Sequence, residues 1–116
     1  VKEPLSYLAL SNTIRSAVTS WGKTLSIESG KHNITVNNIL TGFFNTERLN
    51  QLNSEKAKKF NVSIEEVFDK MSEMVPLKRI GKTEEFGYLV AFLSSEYADY
   101  INGTNIPIDG GLLKSM

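Results

Sequence analysis

The 116-residue sequence contains no cysteine and a single histidine, His32. A disulfide scaffold and a thiolate-bound metal are therefore excluded. A structural zinc site takes its ligands from several cysteine and histidine side chains, which this sequence does not offer. We therefore expect no metal site, and we interpret His32 as a surface residue of a turn.

The sequence also lacks an excess of charge of one sign. Lys plus Arg and Asp plus Glu number 13 each, so the formal charges cancel. Proteins that bind nucleic acid usually neutralise its phosphates with a surplus of basic residues. No apolar run is long enough to span a bilayer, and no signal-peptide pattern opens the sequence. We therefore expect a cytoplasmic protein with neither nucleic acid nor a membrane among its partners.

Strands are few. Only residues 33–40 and 104–108 have the short, apolar and β-branched character of strands. The long, helical connection between them predicts a parallel pair. Two parallel strands alone do not form a stable sheet, because parallel sheets are buried on both faces. The missing strands are expected to come from an absent N-terminal half or from a partner chain. Since the chain also begins VKEPL without Met, we expect it to be part of a longer α/β protein.

Helical periodicity is clearer. It predicts a long helix from Leu8 to about Ser29, and a capping box predicts a helix over residues 63–74. Thr83 is expected to cap a further helix, and the polar residues 45–60 predict one or two short ones. The apolar stripe of the first helix is expected to be core or a subunit interface. Its members are Leu10, Ile14, Ala17, Val18, Trp21 and Leu25.

Two stretches resemble the C-terminal half of the short-chain dehydrogenases/reductases, and most of all the 3-oxoacyl carrier-protein reductase type. In residues 33–49, NITVNNILTGFFNTERL, a strand Asn is followed by Thr-Gly in place of the family's Pro-Gly, then by an apolar residue and a Thr. Residues 75–111 contain Pro-Leu-x-Arg-x-Gly, Glu-Glu, Phe-Leu-Ser-Ser and Asp-Gly-Gly in the family's order. The resemblance covers nearly the whole chain.

This resemblance implies a fold and an activity. The fold is the C-terminal part of a Rossmann-like, doubly wound parallel sheet, with about four helices and two strands in residues 1–116. The N-terminal dinucleotide-binding half, with its glycine-rich phosphate loop, would be absent. The implied reaction is hydride transfer between NAD or NADP and the carbonyl or alcohol carbon of a small molecule. Residues 45–74 would form the substrate lid, and the assembly would be a homodimer or homotetramer.

The family's catalytic Tyr-x-x-x-Lys pair has no match here. The stretch Lys23–Glu28 resembles the family's Lys-Ser-Leu-Ala-x-Glu, and this register places Ser11 where the Tyr belongs and Arg15 where the Lys belongs. In the family, the Tyr exchanges the substrate proton, while the Lys lowers the pKa of that Tyr and binds the nicotinamide ribose. A Ser hydroxyl is a much weaker acid than a phenol, whereas Arg keeps its charge and can bind ribose hydroxyls.

Three interpretations of this exchange remain open. In the first, Ser11 and Arg15 keep the cofactor geometry, and a water or another residue supplies the proton. In the second, the protein binds nucleotide but catalyses little, and serves as a binding or assembly module. In the third, Tyr7, one helical turn before Ser11, replaces the missing Tyr. A helical interaction domain unrelated to the family is a further alternative.

The resemblance also implies a cofactor-binding loop. It places Thr41, Gly42, Phe44 and Thr46 beside the nicotinamide, together with Arg15. Phe44 would offer backbone groups to the carboxamide, and its ring could contact the cofactor. Thr46 would bond the carboxamide or a phosphate, although its position is equally that of an N-cap for the helix that follows.

Overall fold

The computed structural model describes residues 9–114. The described elements form an α/β arrangement of four helices and two strands, as predicted. A short 3-10 turn, which the sequence did not predict, precedes the second strand. In chain order the elements are α1 (Ala9–Gly30), β1 (Asn38–Thr41), α2 (Glu47–Phe60), α3 (Ile64–Met74), α4 (Thr83–Leu93), the 3-10 turn Glu96–Ala98 and β2 (Asn105–Ile108).

Helix α1 ends where the sequence predicts. After Gly30 the chain turns through Asn33, which adopts the left-handed conformation with φ 59°. The His32 N–H donates to the Ser29 carbonyl at 2.9 Å, and His32 is exposed in this turn, as expected. The predicted start of the helix at Leu8, and Tyr7, lie outside the described residues.

The two strands form a two-stranded sheet, and its pairing is parallel. The Asn38 N–H donates to the Thr104 carbonyl at 2.9 Å, and the Gly42 N–H donates to the Ile108 carbonyl at 3.0 Å. The partner number therefore rises along both strands, which is the parallel pattern.

Strand β1 begins later than the prediction of residues 33–40, at Asn38. The reason is that the preceding residues bond to a turn rather than to a neighbouring strand. Val36 donates its N–H to the Asn102 side-chain oxygen at 2.9 Å, and the Asn37 amide donates to the Ile101 carbonyl at 2.8 Å. The Asn102 amide also donates to the Ser26 carbonyl at 3.0 Å, so this one side chain joins helix α1 to the segment before β1.

Helices α2 and α3 begin at side-chain caps. The Thr46 hydroxyl accepts from the Leu49 N–H at 3.2 Å, and the Ser63 hydroxyl accepts from the Glu66 N–H at 3.1 Å. The stretch predicted as one or two short helices is the single helix α2. Because Thr46 and Ser63 act on amides three residues ahead, these helix starts depend on local sequence alone.

Helices α2 and α3 contact each other through a small buried set that includes one polar side chain. Asn53 is fully buried, and its amide donates to the Met71 sulfur at 3.2 Å. Its side-chain oxygen has no hydrogen-bond partner among the described residues. A buried acceptor without a partner costs about 1–3 kcal/mol, so this contact stabilises the helix pair less than an apolar one would.

The chain divides into two compact units. One contains the described residues before Thr41, Leu89–Pro107 and the described residues after Leu112. The other contains Thr41–Tyr88 and Ile108–Leu112.

Candidate functional site

Ser11 and Arg15 lie on one face of helix α1 and contact each other. The Arg15 Nε–H donates to the Ser11 hydroxyl oxygen at 3.2 Å. Their spacing of four residues brings the two side chains together, as the sequence predicts. Arg15 is exposed, and its other guanidinium N–H groups make no hydrogen bond within residues 9–114. The pair therefore presents a fixed positive charge with free donors beside a weakly acidic hydroxyl.

The loop that follows β1 starts at a close backbone approach. A Cβ atom on Gly42 would lie 2.6 Å from the Asp109 Cα. No side chain fits in that space, so Gly42 is required here by packing, whatever its part in cofactor binding. Asp109 itself accepts from the Gly111 N–H at 2.9 Å, which closes the turn after β2.

Phe44 lies at the centre of the loop, in an isolated parallel bridge with Gly81. The Gly81 N–H donates to the Phe43 carbonyl at 2.9 Å, and the Asn45 N–H donates to the Gly81 carbonyl at 2.9 Å. The bridge uses only the groups that flank Phe44. The N–H and C=O of Phe44 itself have no hydrogen-bond partner among the described residues.

The ring of Phe44 contacts protein. It meets the Phe86 ring edge to face, with centroids 5.9 Å apart and an interplanar angle of 81°. Such a pair contributes about 0.5–1.5 kcal/mol beyond the area it buries. The ring is therefore anchored, while the backbone of Phe44 is available to a ligand.

Two other predicted residues of the loop are exposed. Thr41 ends β1, and Thr46 caps α2. The alternative role of Thr46 as an N-cap is confirmed. Because its hydroxyl oxygen serves as the acceptor of that cap, its hydrogen remains free to be donated elsewhere.

An ion pair that the sequence did not reveal lies beside this loop. Arg79 donates two hydrogen bonds to the Glu85 carboxylate, at 2.8 and 2.6 Å. The Lys82 N–H also donates to that carboxylate at 2.8 Å. The bond from Arg79, followed by the one from the Lys82 backbone, lowers the pKa of Glu85 to about 2, so this carboxylate stays ionised at neutral pH. A cavity of about 160 Å³ is lined by residues of both the ion pair and the loop.

Ser11 and Arg15 belong to the unit that holds Leu89–Pro107, whereas Thr41, Gly42, Phe44 and Thr46 belong to the unit that holds Thr41–Tyr88. Over residues 9–114 there is no group of three or more His, Asp and Glu side chains that could hold a metal ion. In the same residues no helix is both long and apolar enough to cross a membrane.

The chain matches a family model described as enoyl-(acyl carrier protein) reductase over residues 5–113. It is 37% identical over 115 residues to the NADPH-dependent reductase BacG of Bacillus subtilis, which covers 99% of this chain and 44% of that protein. It is 36% identical to the 3-oxoacyl-[acyl-carrier-protein] reductase FabG of Buchnera aphidicola, over 84% of this chain and 36% of that one.

Among solved structures, the L-sorbose reductase of Gluconobacter frateurii, complexed with NADPH and L-sorbose, superimposes with a TM-score of 0.92 at 32% identity. The match covers 97% of this chain and 43% of that enzyme. The chain thus spans less than half the length of the proteins it matches.

Proposed function

Because the chain belongs to the short-chain dehydrogenase/reductase family, we propose that the protein carrying it is an NAD(P)-dependent oxidoreductase. The reaction is hydride transfer between the nicotinamide and the carbonyl or alcohol carbon of a small molecule. The observation that carries the proposal is the free backbone N–H and C=O of Phe44. A carboxamide has one acceptor and one donor group that complement this pair.

The other predicted residues supply matching groups. The guanidinium of Arg15 offers free donors to ribose hydroxyls and to negative charge that develops on a substrate oxygen. The Thr46 hydroxyl has a hydrogen to donate, and Thr41 and Gly42 set the start of the loop. The bound cofactor supplies the hydride. The names of BacG and of the L-sorbose reductase complex favour NADPH over NADH.

Proton transfer is assigned to a water beside Ser11 rather than to Ser11 alone. The Ser11 oxygen accepts from Arg15, so its own hydrogen is free to order a water next to the substrate oxygen. Arg15 stabilises the negative charge that develops on the substrate oxygen. This assignment follows the first of the three interpretations of the Ser11–Arg15 pair.

Replacing Arg15 with Ala tests the proposal directly. In the intact gene product that carries this chain, Arg15→Ala should weaken NADPH binding about 10- to 100-fold, because a hydrogen bond to a charged group contributes roughly 1.5–3 kcal/mol. The measurement is a fluorescence titration with NADPH. Lys31→Ala, which removes an exposed positive charge elsewhere, is the control and should bind as the parent does. Equal affinity in Arg15→Ala and the parent would remove the ribose-binding role.

A second candidate is a nucleotide-binding or assembly module with little catalysis. The exchange of an acidic phenol for a Ser hydroxyl at position 11 favours it. The test offers the intact protein NADPH together with a wide range of ketones, aldehydes and 3-oxoacyl thioesters. Binding of NADPH without its oxidation by any of these compounds would support the module and contradict the enzyme.

Residues 45–74 are proposed to be the substrate lid. They contain the whole of α2 and α3 and follow the loop after β1. The family resemblance supports this role, because the segment at this place in the family closes on its ligand.

We further propose a cytoplasmic homodimer or homotetramer that joins through α1. Four of the stripe residues are at least half exposed in this chain, namely Leu10, Ile14, Val18 and Trp21. They are therefore not buried within residues 9–114, and an exposed apolar stripe of this length marks a surface that other protein covers, for which we propose a partner subunit. Sedimentation equilibrium of the intact protein should give a dimer or tetramer mass, and a monomer mass would contradict this assignment.

A further inference from the structure

The cofactor loop, residues 42–46, is held by a backbone bridge rather than by a dense core. The cavity of about 160 Å³ borders Phe43 and Phe44 on one side, so the loop has space into which it could move. That movement is opposed by the two hydrogen bonds between Gly81 and the residues flanking Phe44, both 2.9 Å long, and by the contact of the Phe44 ring with Phe86.

Gly81 is required at this bridge by the approach of Phe44. Its backbone is not among those with positive φ, so its conformation does not itself demand a glycine. A Cβ on Gly81 would instead lie 2.9 Å from Cε1 and 3.0 Å from Cδ1 of the Phe44 ring. A side chain at this position would displace the Phe44 ring, and it would also crowd the loop backbone, because its Cβ would lie 3.3 Å from the Phe43 carbonyl oxygen.

The segment around Gly81 is held by contacts on both sides of that residue. The Glu85 carboxylate binds the Arg79 guanidinium before Gly81 and the Lys82 N–H after it. The Arg79 and Glu85 side chains are 49% and 35% exposed, so the pair adds little to global stability. Its effect is local, because it fixes the turn that presents Gly81 to the loop.

We propose that Gly81 is a positioning residue for the nicotinamide: its missing side chain and its backbone bridge hold Phe44 so that the free N–H and C=O of Phe44 face the carboxamide. This inference rests on the proposed function. Gly81 does not touch the cofactor, and it acts only through Phe44. Arg79 and Glu85 support it by holding the turn.

The test is Gly81→Ala in the intact protein, with two probe ligands. NADPH carries the nicotinamide, and 2′-phospho-ADP-ribose is the same molecule without it. Gly81→Ala should weaken NADPH binding ~10-fold, about the effect of one lost hydrogen bond. It should leave the affinity for 2′-phospho-ADP-ribose unchanged, because that ligand has no carboxamide for the backbone of Phe44. General damage to the fold would weaken both ligands alike, and that result would overturn the proposal.

Two further variants complete the test. Gly87→Ala is the matched control, since a Cβ on Gly87 meets nothing within 4 Å, and it should bind both probes as the parent does. In a Phe44→Ala background, Gly81→Ala should have a much smaller further effect on NADPH, because the ring it would strike is gone. Full additivity of the two changes would show that Gly81 does not act through Phe44.

The outcomes also distinguish a failure of the positioning role from a failure of the proposed oxidoreductase function. In one outcome, the parent binds both 2′-phospho-ADP-ribose and NADPH while Gly81→Ala binds NADPH with equal affinity. This result would contradict the positioning role of Gly81 and leave the proposed function standing. A parent that binds neither NADPH nor NADH contradicts the proposed function, and the positioning role fails with it.

Discussion

Exchanging Ser11 for Tyr and Arg15 for Lys in the same protein should raise the rate of carbonyl reduction by a factor of about 10² to 10⁴, the usual contribution of a positioned general acid. The two side chains already lie in contact on one face of α1, so the exchange introduces the family's acid without moving the backbone. The measurement is kcat for NADPH oxidation with the best carbonyl substrate of the parent.

The control for this experiment is Ser11→Phe with Arg15→Lys. It has the same bulk as the double variant but no phenolic hydroxyl, so it should show no gain. A double variant that is no faster than the parent would show that proton supply does not limit the reaction. Tyr7→Phe in the parent tests the interpretation that Tyr7 replaces the missing Tyr. Loss of turnover with unchanged NADPH binding would assign proton transfer to Tyr7.

Gly42→Ala should destabilise the protein by about 1–3 kcal/mol, the usual cost of inserting a methyl group into filled space. A Cβ at this position would lie 2.6 Å from Cα and 3.2 Å from the carbonyl oxygen of Asp109. Both are backbone atoms, and neither can move aside as a flexible side chain could. The Gly42 N–H also bonds to the Ile108 carbonyl, so a displaced Gly42 disturbs the end of the strand pair. Guanidinium unfolding of the intact protein measures the change.

Gly87→Ala should change the free energy of unfolding in the opposite direction, so it serves as the comparison for Gly42→Ala. Gly87 lies in the exposed part of α4, where its Cβ would meet nothing within 4 Å. Ala favours a helix over Gly by roughly 0.8–1 kcal/mol, so this variant should be slightly more stable than the parent. Equal stability of Gly42→Ala and Gly87→Ala would contradict the close approach of Gly42 to Asp109.

Local signals in the sequence were sufficient for much of the fold. The capped start of α3 at Ser63 and the end of α1, predicted at about Ser29, depend on residues a few positions away, and both are confirmed. The proximity of Ser11 and Arg15 follows from helical spacing in the same way.

Contacts between distant residues could not be predicted in this manner. The start of β1 depends on Asn102, which lies 66 residues beyond Val36, and no pattern near Val36 indicates it. The bridge from Phe44 to Gly81 is of the same kind, because it exists only once the loop and the turn before α4 have been brought together. The family resemblance implies that Phe44 lies beside the cofactor, but only the structure shows which of its backbone groups have no partner among the described residues.

Hydrogen exchange at the Phe44 amide tests the central claim most directly, which is that this chain supplies the nicotinamide side of an NAD(P) site. The intact protein is compared alone, with NADPH and with 2′-phospho-ADP-ribose. The account predicts that NADPH slows exchange of the Phe44 amide and that 2′-phospho-ADP-ribose does not, because only NADPH has a carboxamide to accept from that N–H. An unchanged exchange rate at Phe44 in protein saturated with NADPH would contradict it.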